Sequence, residues 1–141
     1  MASKLESFIH NSDIAKLLLR LSVGGLLIPH GIAKLINGVG PIKQMLEARH
    51  LPGFIAYGAF IGELIAPALL ILGLWSRLSA LVLSFNMLMT FPLALGWAAF
   101  TLNKNGGLTG ELNLLLLFSA LAVFFLGSGK YSISKGKGFW D

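Results

Sequence analysis

The sequence predicts an all-α integral membrane protein. The expected fold is a four-helix bundle with cytoplasmic N- and C-termini and a short amphipathic surface helix between spans 1 and 2. Three observations carry this. First, 55 % of the 141 residues are hydrophobic and 12 % are charged, about half the charged share of a soluble domain. Second, the apolar residues gather in four runs, about 14–34, 54–75, 78–97 and 111–127. A helix of ~20 residues crosses a ~30 Å hydrocarbon core. Third, the cations are unevenly divided between the two sides. Lys4, Lys16, Arg20, Arg77, Lys130, Lys135 and Lys137 fall on one, and Lys34, Lys43, Arg49 and Lys104 on the other. The richer side is the cytoplasmic one.

The same composition excludes several classes. The net charge of +5 is scattered between apolar runs and forms no stripe for nucleic acid. There is no cysteine, which removes disulfides, thiolate metal sites and dithiol chemistry. No histidine pair at i and i+4 suggests haem, and no phosphate-binding loop, zinc-protease motif or serine elbow occurs. Residues 1–13 lack the layout of a cleavable signal peptide, so the first span is expected to remain as an anchor.

In chain order, Asn11, Ser12 and Asp13 offer an N-cap for the first span, and Pro29 frees the carbonyl of Gly25 near its outer end. Residues 35–53 open with turn residues. They continue with Ile42, Met45, Leu46 and Arg49 at helical spacing, the pattern of a helix lying on the membrane surface. The second span, 54–75, holds Glu63 about 13 Å from its start at 1.5 Å per residue. Its Pro67 cannot donate to the Glu63 carbonyl. In the third span Asn86 and Thr90 face the same way, and Pro92 frees the carbonyl of Leu88. A Gly- and Asn-rich loop and a short fourth span follow. The basic tail from Gly127 ends in Phe139 and Trp140, which suit the interface. The whole chain, 1–141, reads as one membrane domain.

The stretch from Arg20 to Lys34 organises the rest. Arg20, Gly24, Leu27, Gly31 and Lys34 share one helix line, a small, basic face suited to a partner carrying acid. Ionisable groups at membrane depth are costly and are functional candidates by default. Glu63 supports two readings: an ion pair with Arg20 that locks the helices, or a group that handles protons or substrate. Arg20 also has a snorkelling reading, its head reaching the phosphates. His30, Lys34, Trp97 and Glu111 are placed toward the outer face. With Glu63 they outline a cavity between the four helices that opens outward. His30 is a candidate proton relay beside Glu63, and Arg20, Lys34, Asn86, Glu111 and Trp97 are candidate ligand contacts. The bland alternatives are helix capping for Glu111, an interfacial lysine at 34, and interhelical hydrogen bonding for Asn86. Spacing shows no metal site.

Four short motifs in fixed order resemble the DoxX family of bacterial inner-membrane proteins. They are Leu19-Arg20 through Gly24, His30-Gly31-Ile32-Ala33-Lys34, Gly62-Glu63-Leu64-Ile65-Ala66-Pro67, and Leu72-Gly73-Leu74-Trp75-Ser76-Arg77. The resemblance runs from about residue 14 to 127. It implies a multi-pass four-helix bundle and matches the family at Arg20, His30, Gly31, Lys34, Glu63 and Arg77. Family names borrowed from a terminal quinol oxidase and from thiosulfate:quinone oxidoreductase imply an oxidoreductase subunit working with quinone. Other relatives imply a non-enzymatic partner or assembly factor, or a protein binding a small apolar molecule or lipid. A partner protein or a homodimer fits either. Without cysteine, a redox role must rest on a quinone or other bound cofactor.

Overall fold

The computed structural model describes residues 3–141. Every regular element among them is helical, apart from an isolated bridge between Leu102 and Leu108. Helix α1, Lys4–Ile9, begins on a capping box of Ser3 and Glu6. Helix α2, Ser12–Asn37, begins on Asn11, whose Oδ1 accepts from the amides of Asp13 at 3.0 Å and Ile14 at 3.4 Å. The short α3, Gly40–Glu47, follows with Pro41 in its first turn. Helices α4, Gly53–Leu72, and α5, Ser76–Phe100, join through a turn at Gly73 and Trp75, both left-handed. Helix α6 is Glu111–Leu126. α2, α4 and α5 are long and apolar enough to cross a membrane, the first counted together with α1. The 16-residue α6 measures about 24 Å.

Both prolines of α4 and α5 act on the helix as their chemistry requires. Pro67 has no N–H to offer the Glu63 carbonyl. The turn before it widens instead into a π-type turn over Ile61–Ile65, and the amide of Ala66 donates to Ile61. Such wide turns cluster at functional sites. The Leu88 carbonyl, expected to be left free by Pro92, accepts from the amide of Phe91. A second π-type turn follows over Phe91–Leu95.

The bundle is a ring in which α2 packs on α4, α4 on α5, α5 on α6 and α6 on α2. Val23, Leu27, Leu70, Leu83, Ala120 and Val123 lie at its centre, each at most 2 % exposed. Fully burying one such side chain stabilises by about 1.5–3 kcal/mol, relative to leaving it in water. Large apolar residues on the outer faces, such as Leu26, Ile61, Phe85, Leu88 and Phe118, are exposed, as expected where lipid is the solvent. Helix α3 buries Leu46 against Val39 and Ala56, with Ile42, Phe60 and Leu93 around them. It therefore roofs one end of α4 and α5.

At the opposite end, residues 127–141 fold across the bundle. Ile133 and Ser134 donate their amides to Leu72 and Gly73 at 3.1 and 3.3 Å. Arg77 donates from Nε to the Asp141 carbonyl at 2.9 Å and from Nη1 to the Phe124 carbonyl at 3.1 Å. The amide of Lys130 donates to Asp13 Oδ1 at 3.1 Å.

Candidate functional site

The predicted face of α2 forms as the spacing requires: Arg20, Val23, Gly24, Leu27 and Gly31 are its buried residues. Glycine matters most at 31. A Cβ there would overlap the backbone carbonyl of Glu63, the same carbonyl that Pro67 leaves without its helical donor. Gly24 does the same lower down the crossing, where a Cβ would sit 2.9 Å from the Pro67 carbonyl. Small residues thus let α2 and α4 touch backbone to backbone.

This close approach brings Lys34 to Glu63. The Lys34 ammonium pairs directly with Glu63 Oε2, and Asn86 Nδ2 donates to Glu63 Oε1 at 3.3 Å. Three helices meet in one polar knot. Glu63 is 8 % exposed, and a buried carboxylate is tolerable only when paired and hydrogen-bonded. Thr90 turns its hydroxyl back to the Asn86 carbonyl at 3.1 Å. A carboxyl facing both a cation and an amide donor can hold a charge, or exchange a proton with a molecule that displaces one partner.

The expected Arg20–Glu63 pair does not form. Arg20 is 1 % exposed at the other end of the bundle. Its Nε donates to the Leu70 carbonyl at 2.9 Å and its Nη2 to the Ile71 carbonyl at 3.1 Å. Nη1 donates to Ser128, and both terminal nitrogens donate to the Tyr131 carbonyl at 3.1 Å. These are carbonyls of the last turn of α4, where a cation complements the helix dipole, and of the tail. Neither snorkelling nor ligand contact describes it. Arg20 is a clamp.

A cavity of about 630 Å³ lies against the knot, within the usual 300–1,000 Å³ of ligand pockets. It differs in place from the expected one. It is bounded by α3, α4 and α5 on one flank, with Lys34 the sole contribution of α2 and none from α6. Lys34, Glu63, Asn86, Thr90 and Arg49 supply its polar groups, and the rest of the wall is apolar. Lys34, Glu63 and Asn86 are thus brought together as candidate site residues. His30, Trp97 and Glu111 are not. His30 is exposed on the outside of α2, because it stands one position before the buried Gly31 and points about 100° away from it. Trp97, 88 % exposed, borders a separate hollow of about 440 Å³ with Phe91, Phe100 and Arg49. Glu111 is exposed and lies against Gly107. Arg49, which borders both spaces, is, with Thr90, a polar residue that sequence reasoning misses as a site candidate. Its helical spacing with Ile42 and Leu46 is the signal that could have found it. Among the described residues no cluster of three acids or histidines suits a metal.

Long apolar helices with lipid-like outer faces, closing on an acid–lysine pair beside a flank cavity, define a helical membrane protein. Within that class, the chain belongs to the DoxX family, whose model matches residues 15–102. The match covers more than half of the chain and includes Arg20, Gly31, Lys34, Glu63 and Arg77, while α6 and the tail lie beyond it. No curated protein and no solved structure matches the chain.

Proposed function

We propose that this DoxX-family protein is a quinone-linked redox subunit, multi-pass in the bacterial inner membrane, with both termini cytoplasmic and α3 at the outer interface. The observation that supports it is the knot of Lys34, Glu63 and Asn86 in the wall of a mostly apolar cavity. That donor set fits a quinone head. Lys34 Nζ and Asn86 Nδ2 are the donors for its ring oxygens, and Glu63 is the group placed to pass or take a proton. A bound quinone supplies the two-electron chemistry, the electrons coming from a partner subunit. The chain's own role would be to hold the head, to exclude water with Leu46, Met89 and Leu93, and to pass protons at Glu63 one at a time, two for each two-electron step. His30 and Arg20, outside the cavity, are not involved.

Extraction of the purified protein tests this. Bound quinone, lost or diminished in Glu63→Gln together with quinol turnover, supports the reading. A protein free of quinone whose turnover is unmoved by Glu63→Gln refutes it. A second reading, a non-enzymatic partner or assembly factor, draws on a different observation: Glu63 is already satisfied by Lys34 and Asn86, so the knot can serve as a lock alone. Recovery of a specific partner after mild solubilisation, with the Glu63→Gln variant still competent, favours it.

A further inference from the structure

We propose that the cavity is filled sideways from the bilayer, through a gap between α4 and α5 bordered by Gly58 and Phe85, so that its occupant carries a long apolar tail. The inference rests on the cavity being a ligand site and adds the route and the tail.

Three observations support it. The ring of four helices does not enclose the space: α3, α4 and α5 bound it, and α6 contributes nothing to its wall. The wall residues Ile55 and Phe85 are 45 % and 63 % exposed. The surface around them is apolar, with Ile61, Leu81 and Leu88 all exposed, so lipid chains border the opening. Finally, Gly58 lines the cavity, and a Cβ built on it meets nothing within 4 Å. That is open space at the rim. By contrast, at Gly62, one turn deeper, a Cβ would strike the Asn86 side chain at 2.6 Å. The two helices touch at Gly62 and part above it. The polar head of an entering molecule therefore meets Asn86 and Glu63 at the closed end, while its tail trails past Gly58 into the bilayer.

The absence of native cysteine permits a direct test in reconstituted full-length protein. A fluorophore is placed at Ala59→Cys, in the cavity wall. Its quenching is measured by lipids brominated on the acyl chain and by aqueous iodide. Strong quenching by brominated lipid, weak quenching by iodide, and loss of the former on adding Gly58→Leu is the expected result. Quenching by iodide and not by lipid means that the space opens to water, and overturns the proposal. So does equal lipid quenching with and without Gly58→Leu. If Gly58→Leu fails to fold, Gly58→Val is the replacement plug, and the lipid-versus-iodide comparison stands without either. The same samples separate this inference from the quinone reading. A ten-isoprene ubiquinone should be retained by wild type and lost from Gly58→Leu, while tail-less dimethoxy-methylbenzoquinone should bind both. Retention of the long-tailed form by Gly58→Leu counts against the gap. Failure of wild type to bind either quinone counts against the quinone alone.

Discussion

Replacing Lys34 with methionine removes the one cation that faces Glu63. The carboxyl keeps the Asn86 amide at 3.3 Å and stays sequestered, with 11 % of its side chain exposed. Breaking a buried pair from one side typically costs about 3–5 kcal/mol. Lys34→Met is therefore expected to cost about 3–5 kcal/mol, an order-of-magnitude figure. Glu63→Gln keeps an acceptor for Asn86 and leaves Lys34 without its counter-charge. With 24 % of the lysine side chain exposed, water reaches the ammonium, so about 1–2 kcal/mol is expected. The double variant buries no charge, and its cost should fall within about 1 kcal/mol of wild type. The pairwise coupling is therefore at least about 2 kcal/mol. Thermal or denaturant unfolding of the four proteins in one lipid environment measures it. Additive single effects, with the double variant the least stable, would refute an ion pair that holds α2 to α4.

Four further outcomes follow from the geometry. Gly31→Val forces a side chain onto the Glu63 carbonyl and should cost about 1–3 kcal/mol or more by overpacking, read as a lower unfolding midpoint. Gly25→Ala, where a Cβ meets nothing within 4 Å, should leave that midpoint unlowered or raise it slightly, since alanine favours a helix interior over glycine. Arg20→Met deprives the Ser128 and Tyr131 carbonyls of their donors, and limited trypsin digestion should then cut faster at Lys130, Lys135 and Lys137. An unchanged cleavage rate contradicts the clamp. His30→Ala should alter neither stability beyond about 0.5 kcal/mol nor quinone retention, since the imidazole faces outward. A loss of retention places His30 back in the site.

The sequence made the face of α2 readable, because small and basic residues recur there at one turn and two turns. It did not reveal which cation meets Glu63. Arg20 and Lys34 lie fourteen residues apart, about 21 Å along the axis, and depths counted from opposite ends of antiparallel helices put both within apparent reach. The Gly31 contact fixes the register between α2 and α4, and that contact is a tertiary fact. Pro67 announced a disturbed backbone at Glu63 but not its form, since widening the turn and breaking it are both open to a helix missing one donor. The cavity's flank position was hidden for a similar reason. Hydropathy marks which residues leave water, not which pair of helices parts. The tail read as a basic interfacial segment, because polar glycine-rich sequence carries no periodicity. Its fold is set by two arginines more than forty residues away.

The Arg20 clamp has a consequence for how the chain is made. Arg20 belongs to the first long helix, yet two of its acceptors, Ser128 and Tyr131, come 108 and 111 positions later. At a synthesis rate of about 5–20 residues per second, the guanidinium waits roughly 5–20 s for them. During that interval only two of its four folded-state acceptors, Leu70 and Ile71, exist, and they are in place only once α4 has entered. The bundle thus passes through a stage in which its most deeply buried cation is half satisfied. Synthesis of the tail thus supplies the second half of the Arg20 acceptors, long after the helix that carries the guanidinium has been made.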